Sequence, residues 1–199
     1  MMAISAREIE SRAFNIVQRC GFRPGKPIDL HEVAVLLGAH VAERPLDADV
    51  SGVLVVQGRD RYVLVNESHH TNRKRFTIAH EFGHLVLHDM SIDRVIVDTD
   101  VRVYQRVGEA SSGVYDQADS TTTPQEEKEA NFFAAALLMP SDWVQACAKD
   151  LQDDDSLVES LADMFQVSVQ ACFIRLQQLN IIESYFDYGK PRRHHDLAY

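Results

Sequence analysis

The sequence predicts an α+β fold, with a small mixed or antiparallel sheet packed on one helix and a helical segment following it. Two runs of β-forming residues, 52–56 and 61–66, flank a tight turn at Gly58, which is typical of a β-hairpin. Residues 76–87 place apolar side chains at helical spacing, and residues 161–179 have the pattern of two short helices joined by a turn. A length of 199 residues and a hydrophobic content of 45% suit one domain with a small appendage.

The N-terminal part predicts two further helices. Ser5 or Ser11 is suited to cap a helix that runs through Cys20, since glycine and proline follow it. Asp29 is suited to cap a second helix that ends before Gly38. A strand is expected directly afterwards.

The helix at 76–87 contains an H-E-x-x-H run that predicts a metal centre. His80 and His84 are four residues apart, so both imidazoles lie on one helix face and can reach the same ion. A catalytic zinc ion bound by two such histidines needs one more protein ligand and keeps one position for water. Glu81 is placed to take a proton from that water.

The third ligand is expected on an acidic helix at 126–138. Glu127 and Asn131 are four residues apart and in phase with the apolar positions that follow, so they share the inward face. Helical phase favours Glu127 as the ligand, with Asn131 hydrogen-bonding a ligand. Glu126 and Glu129 are expected on the solvated side of the helix.

Together these motifs resemble the ImmA/IrrE family of metallopeptidases, over roughly residues 8–182. The resemblance rests on the run F-T-I-A-H-E-F-G-H-L at 76–85 and on E-x-x-A-N-x-F-A-A-x-L-L-M-P at 127–140. It implies a zincin-like fold of the gluzincin type, with zinc held by His80, His84 and Glu127 and with Glu81 as the general base. The 42 residues between His84 and Glu127 form a longer separation than is usual in the family.

The resemblance also implies a function. Family members typically cut a helix-turn-helix transcriptional repressor and thereby switch on phage, mobile-element or stress-response genes. The same set of histidines and a carboxylate accepts other divalent ions, so manganese is an alternative to zinc.

Residues 89–125 predict an extra strand or hairpin followed by a loop near the cleft. Residues 94–97 and 101–104 have β-forming character, whereas 111–123 is polar and rich in Gly, Ser and Thr. If the strand leaves an open sheet edge, a substrate peptide can add to it as a further strand. A solvated insertion without a role is the competing interpretation.

Four further residues are candidates for single roles. His88 follows His84 by four positions and is predicted to be a hydrogen-bond partner of a ligand or a core histidine. A peptidase of this kind also needs a donor to the developing oxyanion. Tyr104, Tyr115, His69 and His88 are candidates that the sequence does not rank.

The helix pair at 161–179 has the pattern of a helix-turn-helix, which raises the question of DNA binding. Residues 151–182 contain five acidic residues and one basic residue, Arg175. Phosphate contacts require clustered cations, so direct DNA binding is disfavoured and a structural or repressor-docking role is preferred. The expected divisions are a peptidase domain at 1–145, a helical appendage at 146–183 and a flexible tail at 184–199.

Charge and composition bound the remaining possibilities. The net charge of −10 disfavours a nucleic-acid-binding chain and suits a basic partner, or serves solubility alone. There is no apolar run long enough for a membrane span and no signal peptide pattern, so a cytoplasmic protein is expected. Cys20, Cys147 and Cys172 are expected as reduced, mostly buried thiols. Oligomeric state is not predicted.

Two other functions remain open at this stage. One is a non-proteolytic regulator, antitoxin-like or repressor-binding, that uses the same fold to bind its partner. The other is a DNA-binding regulator with structural zinc, which is weaker because closed zinc sites usually have four protein ligands, often thiolates.

Overall fold

The computed structural model describes residues 3–90, 92–99, 122–151, 156–187 and 190–193, of which 183–187 and 190–193 are described by their backbone alone. The described elements are, in chain order, α1 Ala6–Arg19, α2 Leu30–Leu37, β1 Ala39–Arg44, β2 Val50–Gln57, β3 Asp60–Asn66, α3 Thr71–Leu87, β4 Arg94–Thr99, α4 Pro124–Leu138, α5 Ser141–Asp150, α6 Leu157–Phe165, α7 Val169–Gln178, β5 Ile182–Asp187 and β6 Lys190–Arg193. This arrangement confirms the α+β prediction.

The two N-terminal helices begin where the sequence predicts. The Ser5 side chain accepts a hydrogen bond from the backbone N–H of Glu8, and Asp29 caps α2 in the same way. Gly38 ends α2 in the left-handed conformation, with φ of 64°, which glycine adopts without steric cost. The first strand, β1, follows immediately.

The main sheet is mixed, with strand order β1-β3-β2-β4. β2 and β3 form the predicted hairpin, β1 runs parallel to β3, and β4 pairs antiparallel with β2 at one edge. The inner face is apolar: Leu54, Val63 and Ile96 are fully buried. Strand β4 confirms the extra strand predicted at 94–97, whereas 101–104 and the loop at 111–123 lie outside the described residues, apart from 122 and 123.

Helix α3 packs on this sheet and against α4. Gly83 makes the contact with α4 possible, because a Cβ added there would lie 2.9 Å from Cα of Ala130. Thr123 caps α4 and forms a capping box with Glu126. The two helices that carry the predicted ligands therefore approach closely along their buried faces.

Hydrogen bonds join the C-terminal helices to the rest of the domain. The turn between α6 and α7 contacts the start of α3, where the Asn72 side chain donates to the backbone oxygen of Val167 at 2.9 Å. Arg175 of α7 is fully buried; its guanidinium donates to Oε2 of Glu10 at 3.0 Å and to the backbone oxygen of Met139 at 3.0 Å. Helix α5 is continuous over 141–150, so the predicted division after residue 145 does not coincide with a break between elements.

Part of the segment predicted as a flexible tail, 184–199, has strand structure, at 184–187 and 190–193. Residues 182–187 and 190–193 pair as an antiparallel hairpin, β5 and β6. The physical reason is the β-forming run that contains Tyr185 and Phe186, which the basic residues after it obscured in the sequence. Residues 194–199 lie outside the described part of the chain.

In the described part of the chain, no single helix is both long and apolar enough to cross a membrane. The pair α6 and α7 has the required combined length and composition, but it is bent by 106°. The three cysteines carry free thiols; Cys172 is buried, whereas Cys20 and Cys147 are partly exposed.

Candidate metal centre

The centre lies where α3, α4 and β4 meet. His80 and His84 are fully buried, and their Nε2 atoms are 3.0 Å apart. Glu127 reaches them from α4, with Oε2 at 3.2 Å from Nε2 of His80 and Oε1 at 3.5 Å from Nε2 of His84. The structure thus brings together the three residues that sequence reasoning selected as ligands.

Asp98 is a member of this cluster that sequence reasoning missed. It lies on β4, is 6% exposed, and places Oδ2 at 3.1 Å from Nε2 of His80. Donor atoms of His80, His84, Asp98 and Glu127 all lie within 4.8 Å of one another. The period-two alternation of β4 was the available signal, because Asp98 is in phase with the buried Ile96 and therefore faces inward.

Glu81 lies beside the cluster against the sheet. It is fully buried, and Gly52 of β2 makes room for it, since a Cβ at position 52 would lie 2.7 Å from Oε1 of Glu81. Gly52 pairs with Asp98 across the β2–β4 ladder. Burial raises the pKa of Glu81 well above its ordinary value, and the nearby carboxyl groups of Asp98 and Glu127 raise it further.

The two histidines differ in proton affinity. Burial lowers the pKa of His80, but the adjacent carboxylates of Asp98 and Glu127 outweigh it and raise the pKa to about 10. Burial and the neighbouring His80 lower the pKa of His84 to about 3. In the absence of a cation, one proton therefore resides on His80 and balances part of the negative charge.

A hydrogen-bond partner on the far side of each ring fixes its orientation. Nδ1 of His80 lies 3.1 Å from Oδ1 of Asn131, which places Asn131 where the sequence predicts a ligand partner. Nδ1 of His84 lies 3.0 Å from Nδ1 of His88, whose Nε2 lies 3.2 Å from Oε2 of Glu129. We call His84, His88 and Glu129 the relay.

Glu129 corrects an expectation, because the sequence placed it on the solvated side of α4. It is 5% exposed and accepts hydrogen bonds at Oε1 from the backbone N–H of Ile4 and from the Gln125 side chain. Burial alone would raise the pKa of Glu129, but the hydrogen bonds from Gln125, Ile4 and His88 bring it below its ordinary value. The reason is the segment before α1, which covers this side of α4 and supplies the Ile4 donor. Glu126, by contrast, is partly exposed and serves as a cap.

Among the described residues, the cluster fits a divalent cation. If Nδ1 of His80 donates to Asn131 and Nδ1 of His84 donates to His88, both Nε2 atoms have free lone pairs that face one another. Buried Oδ2 of Asp98 and Oε1 of Glu127 lack a hydrogen-bond donor. Imidazole nitrogen and carboxylate oxygen are ligands that Zn²⁺ and Mn²⁺ both accept.

Among the described residues, the structure does not single out one of the candidates for the oxyanion donor. His88 is committed to the relay, and His69 is partly exposed at the end of the segment that precedes α3. The neighbouring His70 caps α3. Tyr104 and Tyr115 lie outside the described residues.

Comparison with known families decides the classification. The model of the IrrE N-terminal-like domain, Peptidase M78, matches residues 36–177. The chain belongs to this family. The match covers α3, β4 and α4, so all members of the cluster lie within the IrrE-like domain. No curated protein matches the chain.

Family membership and geometry agree on the broad class. The IrrE-like chain is a metallopeptidase-type protein with a zincin-like fold and a buried cluster that can hold a metal ion. The match also crosses the predicted division at residue 145, and it includes α6 and nearly all of α7.

Proposed function

We propose that the protein is a zinc-dependent endopeptidase of the gluzincin type, with His80, His84 and Glu127 as metal ligands and Glu81 as the general base. The observation that carries this proposal is the convergence of two Nε2 atoms and a carboxylate from a second helix on one point. Manganese is the alternative metal.

The chain's own groups support hydrolysis in the following way. A bound divalent cation supplies Lewis-acid polarisation of the scissile carbonyl and acidifies water. Glu81 accepts a proton from the attacking water at a carboxylate oxygen and returns it to the leaving amine. Burial raises the pKa of Glu81, which increases the proton affinity of its carboxylate once that group is ionised. The hydrogen bonds that Asn131 and His88 make with the far side of the His80 and His84 rings keep these two ligands in place during the reaction.

The proposed substrate is a helix-turn-helix transcriptional repressor, whose cleavage derepresses phage, mobile-element or stress-response genes. Two observations support a protein partner of this kind. The net charge of −10 suits a basic DNA-binding protein. The guanidinium of Arg175 on α7 is buried and cannot contact a DNA phosphate. The helix pair of α6 and α7 is therefore better suited to packing than to DNA binding.

The test uses purified protein, zinc and a helix-turn-helix protein encoded beside this chain. We expect Glu81→Gln to retain zinc and to reduce the cleavage rate by about 10² to 10⁴. His80→Ala should lose both zinc and cleavage. Cleavage by Glu81→Gln at the wild-type rate would contradict the assignment of the base, and cleavage by metal-free protein would contradict the metal mechanism.

A non-proteolytic binding regulator is the second candidate, and the position of Asp98 favours it. A cluster with four protein ligands resembles a closed structural metal site more than an open catalytic one. A regulator of this kind would bind the repressor without cutting it and would do so equally well as the Glu81→Gln variant. The same assay, read as complex formation and as cleavage, separates the two.

A further inference from the structure

Asp98 approaches the metal-facing side of His80. The ring of His80 uses Nδ1 for Asn131, at 3.1 Å, and turns Nε2 towards His84 and Glu127. Oδ2 of Asp98 lies 3.1 Å from this same Nε2. A carboxylate that only orients a ligand histidine hydrogen-bonds the nitrogen away from the metal, as Asn131 does here. Asp98 is therefore placed as a ligand and not as an orienting partner.

Its surroundings agree with that role. Asp98 is 6% exposed, and in the metal-free protein a protonated His80 compensates its Oδ2, with Nε2 at 3.1 Å but in poor hydrogen-bond geometry. A buried carboxylate oxygen without a donor is costly unless a proton or a cation compensates it. The register of β2 and β4 sets Asp98 opposite Gly52, so its side chain reaches the cluster beside Glu81.

This position has a consequence for access. A catalytic zinc site keeps three protein ligands and one position for water, whereas four protein ligands close the site. Asp98 contacts Nε2 of His80 and also interacts with Glu81, so it lies next to both a metal-facing nitrogen and the proposed base. Strand β4 lies at the edge of the sheet and pairs only with β2 among the described strands, so it can shift without breaking the centre of the sheet.

We propose that Asp98 is a fourth protein ligand that closes the metal centre in the resting protein, so that a substrate must displace it from the ion. The inference rests on the proposed metal-dependent function and adds to it a carboxylate that competes with water and substrate for the same position.

The experiment measures Co²⁺ binding by competition with a chromophoric chelator, together with the visible absorption of the Co²⁺-loaded protein. We expect Asp98→Ala and Asp98→Asn to weaken Co²⁺ binding by at least about tenfold. We also expect acetohydroxamate, a small bidentate ligand, to change the Co²⁺ spectrum of both variants at concentrations that leave wild type unchanged. Asp60→Asn, at the exposed start of β3, is the matched control and should behave as wild type.

The outcomes separate this inference from the broader proposal. If both Asp98 variants bind Co²⁺ as tightly as wild type while Glu127→Gln loses it, Asp98 is not a ligand and the three-ligand peptidase stands. Equal sensitivity of wild type and variants to acetohydroxamate overturns the closed site in the same way. If wild type binds no metal, both proposals fail together.

Discussion

Two of the sets of buried charge in the described part of the chain are arranged in opposite ways. Around Arg175, a fully buried cation meets Glu10 and the carbonyl of Met139, so donors and acceptors match. Around His80, two imidazoles and the carboxylates of Asp98 and Glu127 point at one another, and carboxylate oxygens remain without donors. The first set is complete within the chain, whereas the second needs a proton or a cation to be complete.

The difference teaches how a structural pair is told from a functional one. Matched buried charges stabilise a particular packing, and removing one partner leaves the other uncompensated. Carboxylates that converge on one point repel one another in the absence of a ligand, and the arrangement becomes favourable when a cation binds. Burial alone does not distinguish them; the direction in which lone pairs and N–H groups point does.

The largest expected effect concerns the matched set. Glu10→Ala leaves the guanidinium of Arg175 buried without its carboxylate, and we expect the free energy of unfolding to fall by about 3–5 kcal/mol. Urea denaturation of the metal-free protein measures it. Glu8→Ala on the same helix is the control: its pair with Arg12 is exposed, and its loss should cost less than about 1 kcal/mol. Equal effects of the two variants would remove the contrast between a buried pair and a surface pair.

The next effect concerns the two glycines that shape the centre. Gly52→Ala places a methyl group 2.6 Å from Cγ2 of Thr77 and 2.7 Å from Oε1 of Glu81, so the base must move. We expect the cleavage rate to fall by roughly 100-fold while metal affinity stays close to wild type. Gly83→Ala instead meets the backbone of Ala130 at 2.9 Å and separates the two ligand-bearing helices, so metal affinity itself should fall. Loss of metal from Gly52→Ala would contradict the assigned position of Glu81.

A smaller effect is expected from the relay. Glu129→Gln removes the carboxylate that lies 3.2 Å from Nε2 of His88 and can accept its hydrogen bond. This weakens the orientation of His84, and metal affinity should fall by about tenfold. Glu126→Gln on the same helix is the matched control, because glutamine preserves a capping box. Isothermal titration with Zn²⁺ in a weak competing chelator measures both. If the relay only fills space, Glu129→Gln and Glu126→Gln will have the same affinity for Zn²⁺.

The last expected effect is gradual, a pH dependence of the converging set. His80 has a pKa of about 10 in the metal-free protein, so at neutral pH a metal must displace its proton. Metal affinity should therefore rise with pH, by up to about tenfold per pH unit for one released proton. The same raised pKa stabilises the metal-free fold fully below the ordinary value of 6.5, and this contribution is lost as pH rises towards 10. Metal affinity that does not change between pH 7 and 9 would contradict a proton on His80.

Much of this arrangement was predictable from local sequence. The caps at Ser5 and Asp29 and the shared helix face of His80 and His84 depend on residues fewer than five positions apart, and the structure has them as predicted. The choice of Glu127 over its acidic neighbours on α4 followed from helical phase, whereas its approach to the histidines followed from the family resemblance. The caps and the shared helix face are local, so neither the sheet nor the neighbouring helices are needed to place them.

The rest depended on tertiary contacts that no local pattern contains. Asp98 reaches the centre through the register of β4 on β2, which the sequence does not fix. Glu129 is buried because the backbone N–H of Ile4, 125 residues away, covers it. The β5–β6 hairpin was overlooked because the basic residues after 190 favoured a tail.

The pairing of Glu10 with Arg175 spans 165 residues, and this separation bears on how the protein is made. Glu10 is synthesised long before Arg175, so α1 cannot pair with α7 until residue 175 has been made. All four members of the metal cluster are present once residue 127 has been made. A cation bound at that stage would bind a domain that still lacks the contact between Glu10 and Arg175. The contact between α1 and α7 is therefore completed after the metal ligands have already been made.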